Sequence, residues 1–75
     1  MRLNDLEKNQ KAKIVNIIAE LELKQRLYSL GINKNTIIHV DEIALGKSTV
    51  KISVENNMVA LRAVEANAIE VEIIT

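Results

Sequence analysis

The spacing of hydrophobic residues changes from a helical to an alternating pattern at Gly31. Before this glycine, Leu23, Leu27 and Leu30 recur at positions i, i+4 and i+7, which is the stripe of an amphipathic helix. After it, aliphatic and polar residues alternate in several segments, as they do in half-buried strands. The pattern predicts a helix over residues 20–30, ended by Gly31 in the left-handed conformation, within a chain composed mainly of strands.

The same patterns define the remaining elements. The predicted strands span residues 12–19, 36–43, 49–55, 58–62 and 69–74, and one helical turn spans residues 64–68. The first strand is apolar on both faces, so it is either buried on both sides or bulged. Asn56-Asn57 is the predicted hairpin turn, because asparagine accepts a positive φ more readily than any residue except glycine. Five short strands and one helix indicate a mainly β fold, a small and strongly curved barrel.

The composition argues against several classes of function. Ten basic residues balance ten acidic ones, so no net charge attracts nucleic acid. Tyr28 is the only aromatic residue, which disfavours modules that stack bases or dock proline-rich peptides. The chain has no cysteine, no signal peptide pattern and no apolar run long enough to span a membrane. These features predict a single soluble, cytoplasmic domain over residues 1–75.

Six short motifs occur in a fixed order along the chain, at residues 3–6, 12–14, 26–32, 59–62, 65–66 and 69–71. In this order they resemble the FeoA family, small cytoplasmic accessories of bacterial ferrous iron transport. The resemblance implies an SH3-like five-stranded β-barrel with one α-helix between strands 1 and 2. It also implies a non-enzymatic protein without a cofactor. Such a protein would bind the cytoplasmic GTP-binding region of a FeoB-type transporter, support or tune iron uptake, and meet the membrane only through that partner.

The chain departs from this family pattern at a few turns. Asn9, Asn35 and Asn56 stand where the family commonly has glycine, and no proline occurs near Leu45. Asparagine is the next most permissive residue for the left-handed conformation, so the turns are expected to survive these replacements. The missing proline leaves the shape of the loop at residues 44–47 open.

His39 is the only imidazole and the main candidate for chemistry. It lies between Ile38 and Val40 on a predicted strand, so it is expected to face outward together with Asp41. His39 and Asp41 could supply two ligands to a metal ion, but a complete site needs a third and usually a fourth. A solvated histidine is the favoured interpretation, and no metal-binding or catalytic residue is predicted. Asp41 and Glu42 are expected on opposite faces of the strand.

Four residues are candidates for binding a partner protein. Leu21 and Tyr28 fall almost opposite the buried stripe of the helix, and Lys24 lies beside them. Leu45 is an aliphatic residue at a loop tip. Exposed apolar groups of this kind can form a docking surface, although single ones are also common on ordinary protein surfaces.

Two other functions remain open at this stage. Similar domains form the C-terminal part of DtxR-type metal-dependent regulators. Here Met1 comes almost at the first matching residue and no helix-turn-helix segment precedes it, which favours a free-standing protein. A small metal-binding module that uses His39 is the second alternative.

Overall fold

Five antiparallel strands form one sheet in the computed structural model, which describes residues 1–74. The strands are β1 (Lys11–Ile17), β2 (Ile37–Ile43), β3 (Thr49–Val54), β4 (Asn57–Arg62) and β5 (Ile69–Ile74). Helix α1 (Leu21–Ser29) connects β1 to β2, and the single turn α2 (Ala63–Ala66) connects β4 to β5. The spatial order is β4-β3-β2-β1-β5, so the last strand returns to lie beside the first. The predicted mainly β fold, with its helix between the first two strands, is confirmed.

The core of the molecule is aliphatic, and every strand contributes to it. Each strand has at least one residue that is no more than 1% exposed, and these include Ile14, Ile38, Ile52, Leu61 and Ile69. Helix α1 adds Leu27, which is fully buried, while Leu23 and Leu30 pack partly buried against the core. Burying each such side chain contributes about 1.5–3 kcal/mol, which makes the aliphatic core the main favourable contribution to folding.

A bulge explains why β1 is apolar on both faces. The pairing of β1 with β5 shifts register between Ile14 and Asn16, which leaves Val15 as an extra residue. Ile14 and Ile17 therefore both reach the core although they are three positions apart, and Ile18 remains 49% exposed. Of the two alternatives that the sequence leaves open for this strand, the structure has the bulged one.

A second bulge lies in β2. Its pairing with β3 shifts register between Val40 and Glu42, at Asp41. Beyond the bulge Glu42 lies beside Lys51 on the outer surface, with 3.6 Å between Nζ and Oε2, and Ile43 packs against the core. The prediction that Asp41 and Glu42 lie on opposite faces is wrong, because the extra residue reverses the alternation.

Helix α1 ends in a Schellman motif at Gly31. The N–H of Gly31 donates to the carbonyl of Tyr28, and the N–H of Ile32 donates to the carbonyl of Leu27, both at 3.0 Å. Gly31 has a φ of +86°, as predicted. Leu27 and Ile32 are both fully buried and complete the motif with an apolar pair.

The asparagine turns are confirmed at two of three positions. Asn9 has a φ of 71° and Asn35 a φ of 74°. In the β3–β4 hairpin the positive φ of 58° falls on Glu55, not on Asn56. The turn occupies residues 55 and 56 because Val54 pairs with Asn57, one position earlier than predicted.

The loop at residues 44–47 contains a short 3-10 turn, Leu45–Lys47. Gly46 and Lys47 both have a positive φ there, 75° and 58°. Between residues 1 and 74, no helix is long and apolar enough to cross a bilayer.

Candidate interaction surface

The outer side of α1 carries two exposed apolar side chains. Leu21 is 69% exposed and Tyr28 is 48% exposed, whereas Leu27 on the opposite side is buried. Lys24 lies between them along the helix and is half-buried. The outward orientation expected for Leu21 and Tyr28 is therefore present, and their role in binding stays a prediction.

Met58 extends this apolar surface beyond the helix. It is 70% exposed and lines one shallow groove together with Tyr28, Gly31 and Asn57. Val59 and Leu61 face the core on the same strand, so their alternation already implied that Met58 points outward. Sequence reasoning did not single out Met58 because a lone exposed methionine carries no signal until a neighbour such as Tyr28 is placed beside it.

Leu45 lies in a different part of the molecule. It is fully exposed at the start of the 3-10 turn between β2 and β3. Tyr28 and Met58 share a groove, but Leu45 does not line it. The four predicted residues thus divide into three on α1 and one on this separate turn.

The side chain of Glu65 connects α2 to α1. The sequence pattern did not indicate this structural role. Its Oε2 accepts a hydrogen bond from Nε of Arg26 at 2.7 Å, and its Oε1 accepts one from the backbone N–H of Arg62 at 2.9 Å. Glu65 is only 7% exposed. The bond from Arg26 links α1 to α2, and the bond from the Arg62 backbone caps α2 itself.

The environment of Glu65 favours its charged form. The hydrogen bond from the Arg62 backbone is the largest cause that lowers the pKa of this carboxyl, and burial opposes it. The hydrogen bond and the positive charge of Arg26 lower the pKa further. A signal for the first bond exists in the sequence, because Glu65 stands three residues after the residue that precedes α2, as in a capping box.

His39, Asp41 and Ser53 form a small polar cluster on the outer face of the sheet. Nδ1 of His39 lies 2.6 Å from Oδ1 of Asp41, and Oγ of Ser53 donates to Oδ2 of Asp41 at 2.6 Å. The bond from Ser53, followed by the bond from His39, lowers the pKa of Asp41. A nucleophilic serine needs the imidazole between itself and the acid. Here the acid is central, so the arrangement does not activate Ser53.

The polar cluster also falls short of a metal site. Over residues 1–74, no three side chains of His, Cys, Asp or Glu are grouped closely enough to hold a metal ion. His39 and Asp41 contact each other, as their spacing suggested, but they are two potential ligands without a third.

Comparison with known proteins gives consistent relatives. The model of the FeoA domain matches residues 1–73. A candidate Fe(2+) transport protein A from Campylobacter jejuni is 42% identical over 74 residues, which span 99% of this chain and 100% of that protein. The FeoA-like protein of Clostridium acetobutylicum has a TM-score of 0.91 at 25% identity, covering 100% of this chain and 87% of that one.

Two further structures share the fold. FeoA of Stenotrophomonas maltophilia, solved in complex with zinc and described as a procaryotic SH3 domain protein, has a TM-score of 0.84 at 24% identity, over 96% of this chain and 89% of that chain. A manganese-dependent transcriptional repressor has a TM-score of 0.91 at 17% identity, but the match covers 99% of this chain and only 36% of the repressor.

The fold and the surface described above define an SH3-like β domain of the kind found both in iron transport proteins and in metal-dependent regulators. The chain belongs to the FeoA family, a family of accessory proteins involved in Fe(2+) transport.

Proposed function

We propose that this protein is a non-enzymatic, cytoplasmic accessory of ferrous iron transport that binds the GTP-binding region of a FeoB-type transporter through the outer side of α1. The observation that carries the proposal is the exposure of Leu21 and Tyr28 on one side of a fixed helix. Membership of the FeoA family and the relative from Campylobacter jejuni support the role in transport. The likeness to the repressor extends to the fold alone.

The geometry of α1 suits a docking surface. Leu21 and Tyr28 are seven positions apart, so they point in directions about 20° apart and lie about 10 Å apart along the helix axis. Lys24, between them, forms no ion pair among the residues that the structure describes and is available to an acidic partner group. Tyrosine is one of the residue types that are enriched in binding hot spots, so Tyr28 is the expected centre of this surface.

The helix is also held in place before any partner arrives. The Schellman motif at Gly31 fixes its C-terminal end, and the fully buried Leu27 anchors its inner side in the core. Association costs less when the binding residues are already ordered, because fewer side-chain and backbone motions are lost. An ordered helix therefore presents the same binding surface each time it meets the transporter.

A titration tests this surface directly. The isotope-labelled protein is titrated with the purified GTP-binding region of a FeoB-type transporter, and the double variant Leu21→Ala/Tyr28→Ala is compared with the wild type. We expect the variant to keep its fold and to bind at least about tenfold more weakly. Ile37→Ala is the matched control, because Ile37 is an apolar residue with 54% exposure that belongs to β2 and not to α1.

Three results would contradict the proposed surface. One is an unchanged affinity of the double variant, and another is a larger loss for Ile37→Ala. The third is unfolding of the double variant, which would place Leu21 and Tyr28 in the core. The single variant Leu45→Ala shows separately whether the 3-10 turn contributes to binding.

A further inference from the structure

The outer edge of β4 is open in the described part of the chain. β4 stands at one end of the spatial order and pairs only with β3. The other end of the sheet differs, because the carbonyl of Met1 accepts a hydrogen bond from Val71 N–H at 2.8 Å and Arg2 forms a bridge with Glu70. The start of the chain therefore covers part of one edge of the sheet. At β4 the end of α1 lies beside Asn57–Val59, but no segment among residues 1–74 forms backbone hydrogen bonds with the outer edge.

Two hydrogen bonds at the end of β4 show which backbone groups face β3. The N–H of Ala63 donates to the carbonyl of Ser48 at 3.1 Å, on the side of β3. The N–H of the preceding residue, Arg62, turns away and donates to Glu65. Successive residues of an antiparallel strand alternate in this respect, so even-numbered residues of β4 direct their backbone groups away from β3.

This alternation leaves Met58 and Ala60 with outward backbone groups. Each offers one N–H and one C=O at the open edge, and neither group takes part in a hydrogen bond outside the regular pairing. Both residues are exposed, Met58 by 70%. The edge is thus a short template for another strand.

The edge also lacks the features that usually prevent strands from associating. Native proteins protect an open edge with charged side chains, proline, bulges or a covering segment. Residues 57–61 include no charge and no proline, and the β3–β4 pairing runs without a register shift. A regular edge whose one charged residue, Arg62, lies at the end of the strand is suited to pairing.

We propose that β4 pairs antiparallel with β4 of a second copy of this chain, about a two-fold axis at Val59. In this register Met58 of each copy lies opposite Ala60 of the other. Each of these two pairs exchanges both of its N–H and C=O groups, so the dimer gains four backbone hydrogen bonds. A large side chain lies beside a small one on the outer face, and Arg62 lies opposite the uncharged Asn56 of the second copy.

The edge favours a second copy over an unrelated strand because it is self-complementary. The two outward-facing residues lie one on each side of Val59, so one rotation satisfies all of their backbone groups at once. The contact involves only a few residues on each copy. Interfaces well below about 1,200 Å² give weak and reversible association, so the dimer is expected at high protein concentration.

Sedimentation and amide hydrogen exchange across a concentration series test the dimer. Between about 20 µM and about 2 mM we expect the wild type to pass from monomer towards dimer. Over this range exchange at Met58 and Ala60 should slow by at least about threefold, while exchange at Val59, whose N–H already faces β3, should not change.

Variants at one position separate edge pairing from other contacts. Ala60→Pro removes an outward N–H that β3 does not use, a substitution that an edge strand tolerates. We expect this variant to remain monomeric at every concentration, and Ala60→Ser, which keeps the N–H, to dimerise as the wild type does. Met58→Lys places like charges near each other across the axis and should also prevent pairing, so it decides the matter if Ala60→Pro does not fold.

The proposal is overturned by a wild type that stays monomeric across the whole series, including one that binds a foreign strand at β4 instead. It is equally overturned by a dimer in which Met58 and Ala60 exchange as fast as in the monomer, or by a folded Ala60→Pro that dimerises normally. Met58 also lines the groove beside Tyr28 but Ala60 does not, so the Ala60 variants test strand pairing without altering the surface proposed for the transporter.

Discussion

His39 shows how a contact between two residues limits their chemistry. Its Nδ1 is engaged with Asp41, whose second oxygen is engaged with Ser53. We therefore expect anaerobic titration with ferrous or manganous ion to give the same weak response for the wild type and for His39→Ala. Tight, stoichiometric binding that disappears in His39→Ala would instead establish the metal-binding module as the function of this site.

Single residues were predictable where the cause is local. Asn9, Asn35 and Gly31 have a positive φ because their own side chains, or the lack of one, permit it. Glu55 has a positive φ because strand pairing places the turn there, against the preference of glutamate. Glu65 is important because of the residues that it contacts, and one of them, Arg26, lies 39 positions away along the chain.

At the scale of elements, the end of α1 depends on the conformation of Gly31. A Cβ atom built there would meet Cγ1 of Val54 at 3.7 Å, an ordinary contact, so space is not the constraint. The constraint is the φ of +86°, which a β-branched residue adopts only with strain. We expect Gly31→Val to lower the free energy of unfolding by more than about 1 kcal/mol, measured by urea denaturation.

Asparagine provides the matched control at this position. Gly31→Asn should lose clearly less stability than Gly31→Val, because asparagine tolerates the left-handed conformation. Equal losses for the two variants, or an unchanged melting temperature for Gly31→Val, would contradict the role of Gly31 in ending the helix.

The elements themselves were predictable more readily than their irregularities. Periodicity located α1 and all five strands, because each element buries one side. It could not locate the bulge at Asp41, since a bulge depends on how two strands pair and not on the pattern of one strand. The open edge of β4 could not be predicted for a similar reason, because the order of the strands in the sheet decides which strand lies at an edge.

For the molecule as a whole, Glu65 links stability to pH. Its pKa is lowered in the folded state, so its contribution is fully present above the ordinary glutamate value of about 4.3 and is lost as the pH falls through the lower folded value. Asp41 acts in the same direction. We expect the free energy of unfolding to decrease steadily from about pH 5 towards about pH 3.

The variant Glu65→Gln distinguishes the contribution of Glu65 to the pH dependence of stability from that of Asp41. At neutral pH this variant should be less stable by about 1–3 kcal/mol, because the buried acceptor loses its charge. Its stability should also depend less on pH in the acid range, as measured by thermal unfolding. Arg26→Gln is the control and should cost less, since Arg26 is 57% exposed and exposed ion pairs contribute little. A Glu65→Gln variant with the pH dependence of the wild type would contradict this assignment.

The overall architecture could be predicted because many independent signals agree on it. Alternating aliphatic residues, one amphipathic helix and short turns leave few ways to close a core in 75 residues. The surface could not be predicted to the same extent, because Tyr28 and Met58 become neighbours only when β4 is placed beside the end of α1. Local sequence patterns were therefore enough to predict the fold. The candidate site could not be predicted in this way, because it depends on how distant segments of the chain are arranged.

Because Tyr28 is the only aromatic residue, its fluorescence can report on binding without a label. No other ring absorbs or emits in the near ultraviolet, so the fluorescence of this chain comes from Tyr28 alone, half-exposed at the surface proposed to meet the transporter. A partner that covers α1 should change that emission, and should transfer its energy to any nearby tryptophan of its own. The docking event could thus be followed in real time without a dye, a tag or a substitution.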